Sequence, residues 1–326
     1  HGQRRRPGRT WCCVPIKYRE AVTAAILETM ERDPTVIVLG VGVADPKGIF
    51  GTTLEARKRF PDRVLETPLS ENMLTGACVG MALEGWHPIL VHARADFLTL
   101  SMEQLVNTAA KWHYMGGKRP RMVIRALVGR GWGQGPQHSQ SFHHLLAKIP
   151  GFQVFYPVVA ADYTEILKKA MENGPSVILE PRRCFEQPIF ERPFRIFGAT
   201  VQFVTFGDVF LDAVAAADVL AQEGIIADLL PVEDLSNPPI LNPRLPTVVC
   251  AVAPSRWLPL EFIEELQMPA TWIMPPFTPC PTSYELEKKW YPDAASIVRA
   301  ALALLGKGDL RIPEVAIATD GFRGPF

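Results

Sequence analysis

Short, almost uninterrupted apolar runs set between helix-length segments constrain this chain more than anything else in it. VIVLGV (36–41), PILVHA (88–93), RMVIRAL (121–127) and SVILE (176–180) show no two-residue alternation of polar and apolar positions. A strand that is apolar at nearly every position is buried on both faces, and such strands belong to parallel sheets covered by helices. The segments between them have the helical period. Ala21, Val22, Ala25, Ile26 and Met30 recur at helical spacing before Asp33-Pro34. A helix opening near Ser70-Glu71 carries the small residues Gly76, Ala77, Gly80 and Ala82, and 98–114 reads as one long helix. A strand over 153–158 and a helix over 161–174 continue the alternation. The expected class is α/β, with mostly parallel, doubly wound sheets.

The pattern occurs twice. PRRCFEQPIFERPFRIFG (181–198) is rich in Pro and Arg and has no clean period, so a linker is placed at 185–198. Beyond it come strands at 201–207, 225–232, 247–253 and 271–275, and helices at 211–223, 259–266 and 294–305. Ala213, Ala216 and Leu220 face inward on the first of these helices. The expected domains are 16–184 and 199–308, with 309–326 as a tail. Residues 1–15, HGQRRRPGRTWCCVP, are basic with no apolar core behind them, so they read as an arm or a tag remnant and not as a secretory signal.

Charge narrows the function. Lys plus Arg (34) equals Asp plus Glu (34), which gives no reason to expect nucleic acid or an anionic membrane as partner. No apolar run approaches the roughly 18 residues that span a bilayer. The six cysteines form no C-x-x-C pair, so no zinc site is expected and reduced thiols in a cytoplasmic setting fit best.

In parallel α/β sheets, ligands bind at the carboxyl ends of strands. GRGWGQGPQHSQSFHH (129–144) follows the strand 121–127 and lies at such an end. Its glycines do not match G-x-G-x-x-G, no Lys-Ser/Thr follows, and Pro136 intervenes before any helix. A nucleotide cradle is therefore disfavoured, and close approach of backbone to another surface or a cofactor is preferred. His138 lies in the polar strip Gln137-His138-Ser139-Gln140 and reads equally as structural or catalytic. His143 and His144 are adjacent on a helix, too far apart in direction to act as an i, i+4 metal pair, and a solvated face is expected for both. Glu71 reads as a first-turn acid behind a Ser70 cap, and Phe97 as a core aromatic or a platform for a planar ring.

LETPLSENMLTGACVGMALEGWHPILVHARADF, LSMEQLVNTAAKWHYMGG and RALVGRGWGQGPQHSQSF, in that order, resemble the beta subunit of thiamine-diphosphate-dependent 2-oxo acid dehydrogenases of the pyruvate and branched-chain type. The resemblance runs from about Tyr18 to Glu180 and continues more loosely through the second domain. It implies a transketolase-like pyrimidine-binding domain followed by a transketolase-type carboxy-terminal domain. By the same resemblance, Glu71 bonds the aminopyrimidine of thiamine diphosphate, Leu69 and Phe97 contact that ring, and His138 faces the substrate, with Gln137 and Gln140 in support. The diphosphate and its Mg2+ are expected on a separate alpha subunit, because the family's Gly-Asp-Gly segment has no counterpart beyond Gly207-Asp208-Val209, read here as a strand-to-helix turn. An α2β2 assembly, possible docking to a lipoyl acyltransferase, and no metal site on this chain follow from the resemblance.

Two departures stand out. Val41 and Gly42 occupy the place of the family's acidic pair, and PSRWLPLEFIEELQMPA (254–270) is shorter than the corresponding family segment. Two alternatives stand beside the dehydrogenase reading: a subunit of a non-oxidative carboligase or split transketolase, and a catalytically silent scaffold, which these departures permit.

Overall fold

The computed structural model describes residues 12–46, 48–130, 133–159, 161, 163–191, 196, 198–254 and 266–308. Three sheets form. The largest has six parallel strands: β2 (Val36–Gly40), β3 (Val64–Glu66), β4 (His87–His92), β5 (Val123–Val128), β6 (Gln153–Phe155) and β7 (Ser176–Pro181). Their order across the sheet is β3-β2-β4-β5-β7-β6. Every residue of β2, β5 and β7 is buried, as the apolar runs require. Arg125 interrupts the run in β5 and is itself fully buried. Its Nε and Nη2 reach the two carboxylate oxygens of Glu180 on the adjacent β7, at 2.8 and 2.9 Å. A bidentate partner on the neighbouring strand is what makes a buried charge tolerable here.

Helices α1 (Tyr18–Arg32), α2 (Leu54–Arg59), α3 (Glu71–Leu83), α4 (Ala110–Gly116), α5 (His143–Leu146) and α6 (Tyr163–Asn173) accompany this sheet. On α1, Val22, Ala25, Ile26 and Met30 are buried, as their spacing predicts, and Asp33 caps its end. The second sheet is also parallel, ordered β10-β9-β11-β12, from β9 (Val201–Phe206), β10 (Ala227–Pro231), β11 (Thr247–Ala251) and β12 (Ala270–Ile273). Helices α7 (Val209–Gln222), α8 (Tyr284–Trp290) and α9 (Ala294–Leu304) belong to it, and Ala213, Ala216 and Leu220 of α7 are buried as expected. Two parallel sheets with interleaved helices confirm the α/β class.

Several local expectations change. The segment read as one helix over 98–114 is a 3-10 turn at Ala95–Ser101, a π-helix at Gln104–Ala109 and then α4. Buried Ala95, Leu98, Leu105 and Ala109 are spaced as an α-helix would space them, so periodicity cannot distinguish the two. The strand expected over 153–158 stops at Phe155. There the chain turns away, because Tyr156 N donates to the Glu233 carbonyl (2.8 Å) and the Glu233 carboxylate accepts from Val158 and Val159 N (both 2.8 Å). The Pro/Arg-rich stretch is not structureless: a 3-10 turn at Arg182–Cys184 leads to β8 (Pro188–Glu191), which pairs antiparallel with β1 (Cys12–Lys17). Part of the amino-terminal segment set aside as an arm is thus a strand. The helix expected over 259–266 and the tail over 309–326 lie outside the described residues, apart from Gln267's neighbour at 266.

Candidate active site at the carboxyl edge of the six-stranded sheet

Because β2, β3, β4 and β5 are parallel neighbours, the segments that follow them emerge along one edge. Leu69 and Glu71 follow β3, Val41 and Gly42 follow β2, Phe97 follows β4, and His138 follows β5. The sheet therefore gathers residues separated by up to 97 positions along the chain, from Val41 to His138, as expected for a ligand site in such folds.

Glu71 is the first residue of α3, with Ser70 as its N-cap position, although the Ser70 hydroxyl makes no capping hydrogen bond. An acid in the first turn is favoured by the helix dipole. Its side chain is half-buried, and among the described residues its carboxylate makes no hydrogen bond or ion pair. Leu69, just before it, is 73% exposed. A carboxylate left available beside an exposed aliphatic side chain suits a planar ring bearing a polar edge. Glu66, at the end of β3, accepts from Gly42 N (2.6 Å) and Ala44 N (2.8 Å), so a carboxylate anchors the backbone where Val41 and Gly42 pass.

Phe97 is half-buried, with its ring edge-to-face with the His138 imidazole at 6.1 Å between centroids. It is neither wholly core nor free. The turn carrying His138 is held from several sides. Arg94 Nη1 donates to the His138 carbonyl (3.5 Å), and Tyr291 donates its hydroxyl hydrogen to the Ser139 carbonyl (3.2 Å). Gln140 donates both its backbone N–H (3.2 Å) and its side-chain Nε2–H (3.0 Å) to Asp96 Oδ1. Burial raises the Asp96 carboxyl above its ordinary range, against the lowering effect of the Gln140 hydrogen bonds. Gln137, in contrast, is exposed.

The glycines of the loop bring it onto the second sheet's domain. Gly133 and Gly135 have φ of +64° and +77°. A Cβ on Gly133 would lie 2.7 Å from the Thr282 carbonyl oxygen, and one on Gly135 would lie 2.7 Å from Thr282 Oγ1. Only glycine meets both demands. Gly133 N also donates to the buried Glu287 carboxylate (2.6 Å). Gly131 and Trp132 lie outside the described residues. Where the loop leaves β5, Arg130 is buried between Asp208 and Asp212: Nε reaches Asp208 Oδ2 at 2.9 Å and Nη2 pairs with Asp212. Its guanidinium also lies over the Tyr291 ring, 4.8 Å from the centroid, and Arg183 Nη1 reaches Asp212 Oδ2 at 2.9 Å. Gly207-Asp208-Val209 is indeed a strand-to-helix turn, with Gly207 at φ +82° and Asp208 at the N-cap position of α7.

His143 overturns the expectation of a solvated helix face. It is 0% exposed, stacked on Phe206 at 6.0 Å, with Nδ1 hydrogen-bonded to Ser141 Oγ at 2.9 Å. Burial pushes its pKa well below the usual histidine value, and neighbouring His144 adds to the shift. His144 is partly buried, and burial lowers its pKa as well. No group of three or more potential metal-ligating side chains occurs among the described residues.

Reading the sequence missed Asp96 and the Arg130–Asp208–Asp212 cluster. Asp96 leaves no single-sequence signal. The cluster does leave one: Asp208 and Asp212, four residues apart at the two ends of DVFLD and followed by the apolar AVAAA, mark acids on a buried helix face that must have a cationic partner.

Residues 14–187 match the family model "Transketolase, pyrimidine binding domain". Over 88% of this chain and 96% of its own length, the beta subunit of acetoin:2,6-dichlorophenolindophenol oxidoreductase from Cupriavidus necator is 32% identical. The chain belongs to the family of beta subunits of thiamine-diphosphate-dependent 2-oxo acid dehydrogenases. The mitochondrial beta subunit of the pyruvate dehydrogenase E1 component of Saccharomyces cerevisiae is 29% identical over 88% of each chain. A split-gene transketolase, solved as an inactive beta4 tetramer, superposes with a TM-score of 0.68 over 89% of this chain and 98% of its own, at 22% identity. That likeness establishes the shared fold. Membership in the beta-subunit family agrees with the resemblance carried by the segments around Glu71, Phe97 and His138. No helix among the described residues is long and apolar enough to cross a membrane.

Proposed function

We propose that this chain holds the pyrimidine half of thiamine diphosphate in a two-chain enzyme of the 2-oxo acid dehydrogenase type. One observation carries the reading: an available Glu71 carboxylate, an exposed Leu69 and the Phe97–His138 pair share one edge of a parallel sheet in a chain of this family. Glu71 is assigned to the aminopyrimidine edge, where it holds or receives a proton. Leu69 and Phe97 are assigned to the ring faces, where they exclude water. His138 is assigned to the substrate side, within the turn fixed by Gln140. Gln137 is exposed and lies at the mouth of that turn. Bound here, thiamine diphosphate would supply carbanion stabilisation, and the protein would supply orientation and proton handling.

The diphosphate and Mg2+ are assigned to a separate alpha subunit in an α2β2 assembly. The support is local: Asp208, in the one segment resembling a diphosphate motif, is already committed to buried ion pairs with Arg130 and Arg183. A second substrate class is favoured by one relative. The Cupriavidus necator protein is named for acetoin and a dye acceptor. A 2-hydroxy ketone therefore stands beside a 2-oxo acid as candidate substrate, and a lipoyl group beside other acceptors.

The test is co-expression with an alpha-type chain that carries a Gly-Asp-Gly segment, followed by assays with pyruvate, branched-chain 2-oxo acids and acetoin, using dichlorophenolindophenol as acceptor. The expected result is dye reduction that requires both chains, thiamine diphosphate and Mg2+. Turnover by this chain alone, or carboligation with no oxidised product, would contradict the proposal.

A further inference from the structure

We infer that Asp96 is a positioning residue of the candidate site, its Oδ1 atom fixing the turn that sets the His138 ring against Phe97. The inference rests on the site assignment above and names the residue that shapes it. Asp96 is buried, at 6% exposure, with Arg94 and His138 acting on it electrostatically; among the described residues both hydrogen bonds to its Oδ1 come from Gln140. A single acceptor atom engaged by the backbone and the side chain of one residue restrains that residue's position and its rotation together. A buried carboxylate that holds a neighbouring turn costs desolvation that an apolar residue would avoid.

The decisive feature is adjacency. Asp96 and Phe97 are consecutive in the 3-10 turn Ala95–Ser101, and Thr99 Oγ1 closes that turn by donating to the Asp96 carbonyl at 2.8 Å. One rigid turn thus presents the acceptor that anchors residue 140 and the ring that faces residue 138. Between them, the His138 and Ser139 carbonyls are bonded by Arg94 and Tyr291. Three consecutive residues are pinned from three places, and Asp96 is the pin that shares its element with Phe97. Loss of this pin lets the imidazole drift relative to the Phe97 ring. Misplacement of a reacting group by about 1 Å is enough to cost roughly a hundredfold in rate.

The full chain, labelled with 13C/15N-histidine, tests this without any partner. At pH 8.5, H138Q identifies the His138 ring resonance among the seven histidines. D96A should move or broaden that resonance, because the Phe97 ring current at His138 changes. D96N keeps an oxygen acceptor at the same place and should leave the resonance near its original position. Q140A, at an exposed site where folding is not threatened, should move it in the same direction as D96A by a smaller amount. In the two-chain enzyme, D96A should lower kcat about a hundredfold with little change in KM. An unmoved His138 resonance in Q140A and D96A, or one that moves as far in D96N as in D96A, overturns the inference. Because the resonance is read on the chain itself, this outcome is distinct from failure of the proposed activity.

Discussion

The two halves of the candidate site are built on opposite plans. On the Glu71 side, Leu69 is 73% exposed and the carboxylate has no partner among the described residues. On the His138 side, Asp96, Arg94 and Tyr291 hold three consecutive residues, and the loop behind them is locked to Thr282, Glu287 and Asp208. One half is prepared for something outside the chain; the other is organised by the chain itself. The difference teaches that the second domain serves the site from a distance. Among the described residues it makes no hydrogen bond or ion pair with Glu71, yet it clamps the glycine loop that carries His138.

The clamp is the place to break this contrast most strongly. R130M should destabilise the chain by about 3 kcal/mol, measured by urea unfolding, because it removes the cation between the buried Asp208 and Asp212 carboxylates and leaves Arg183 as their ion-pair partner among the described residues. An unchanged midpoint would mean the loop is not held from the second domain. A medium effect belongs to His143. Its folded-state pKa is depressed, so the unfolded chain takes up its proton first as pH falls. The stability owed to the neutral, buried ring is fully present above the unfolded value near 6.5 and is lost below it. His92, depressed to about 4 by burial, acts in the same sense. Replacing His143 by Asn should flatten the loss of stability below pH 6.5 by up to about 1.4 kcal/mol per pH unit. Parallel pH profiles for H143N and the parent chain would contradict the buried, neutral assignment. The smallest effect belongs to the open half. L69A should change the stability of the isolated chain by less than about 0.5 kcal/mol, while weakening thiamine diphosphate binding in the two-chain enzyme. A large stability loss would mean Leu69 is core and the open half is not open.

Much of this was legible in the sequence, for physical reasons. Strands β2, β4, β5 and β7 announce themselves because a run buried on both faces is apolar at most positions, with the paired Arg125 and Glu180 among the exceptions. Gly133 and Gly135 announce a close approach, although not to what: Thr282 is almost 150 residues away in the chain. Family resemblance gives Glu71, Phe97 and His138 their roles; the residues alone leave Glu71 as a first-turn acid, Phe97 as a core ring or a stacking platform, and His138 as equally structural or catalytic. What stayed hidden depends on long-range packing. Ala95, Leu98, Leu105 and Ala109 satisfy an α-helical spacing while the backbone is 3-10 and π. His143 looks polar in FHHLL, and only the arrival of Phe206 and Tyr156 from other strands and turns buries it. Asp96 is an ordinary aspartate until Gln140 folds back onto it.

Under the proposed function, Glu71 serves the cofactor at a site this chain shares with a partner. The most direct measurement is turnover by the co-expressed two-chain enzyme carrying E71A, at saturating thiamine diphosphate and with the assembly state checked. Loss of about a hundredfold to ten-thousandfold in kcat, with the assembly intact, is the expected result. Turnover equal to that of the unaltered enzyme would contradict the assignment of Glu71 and the account built on it.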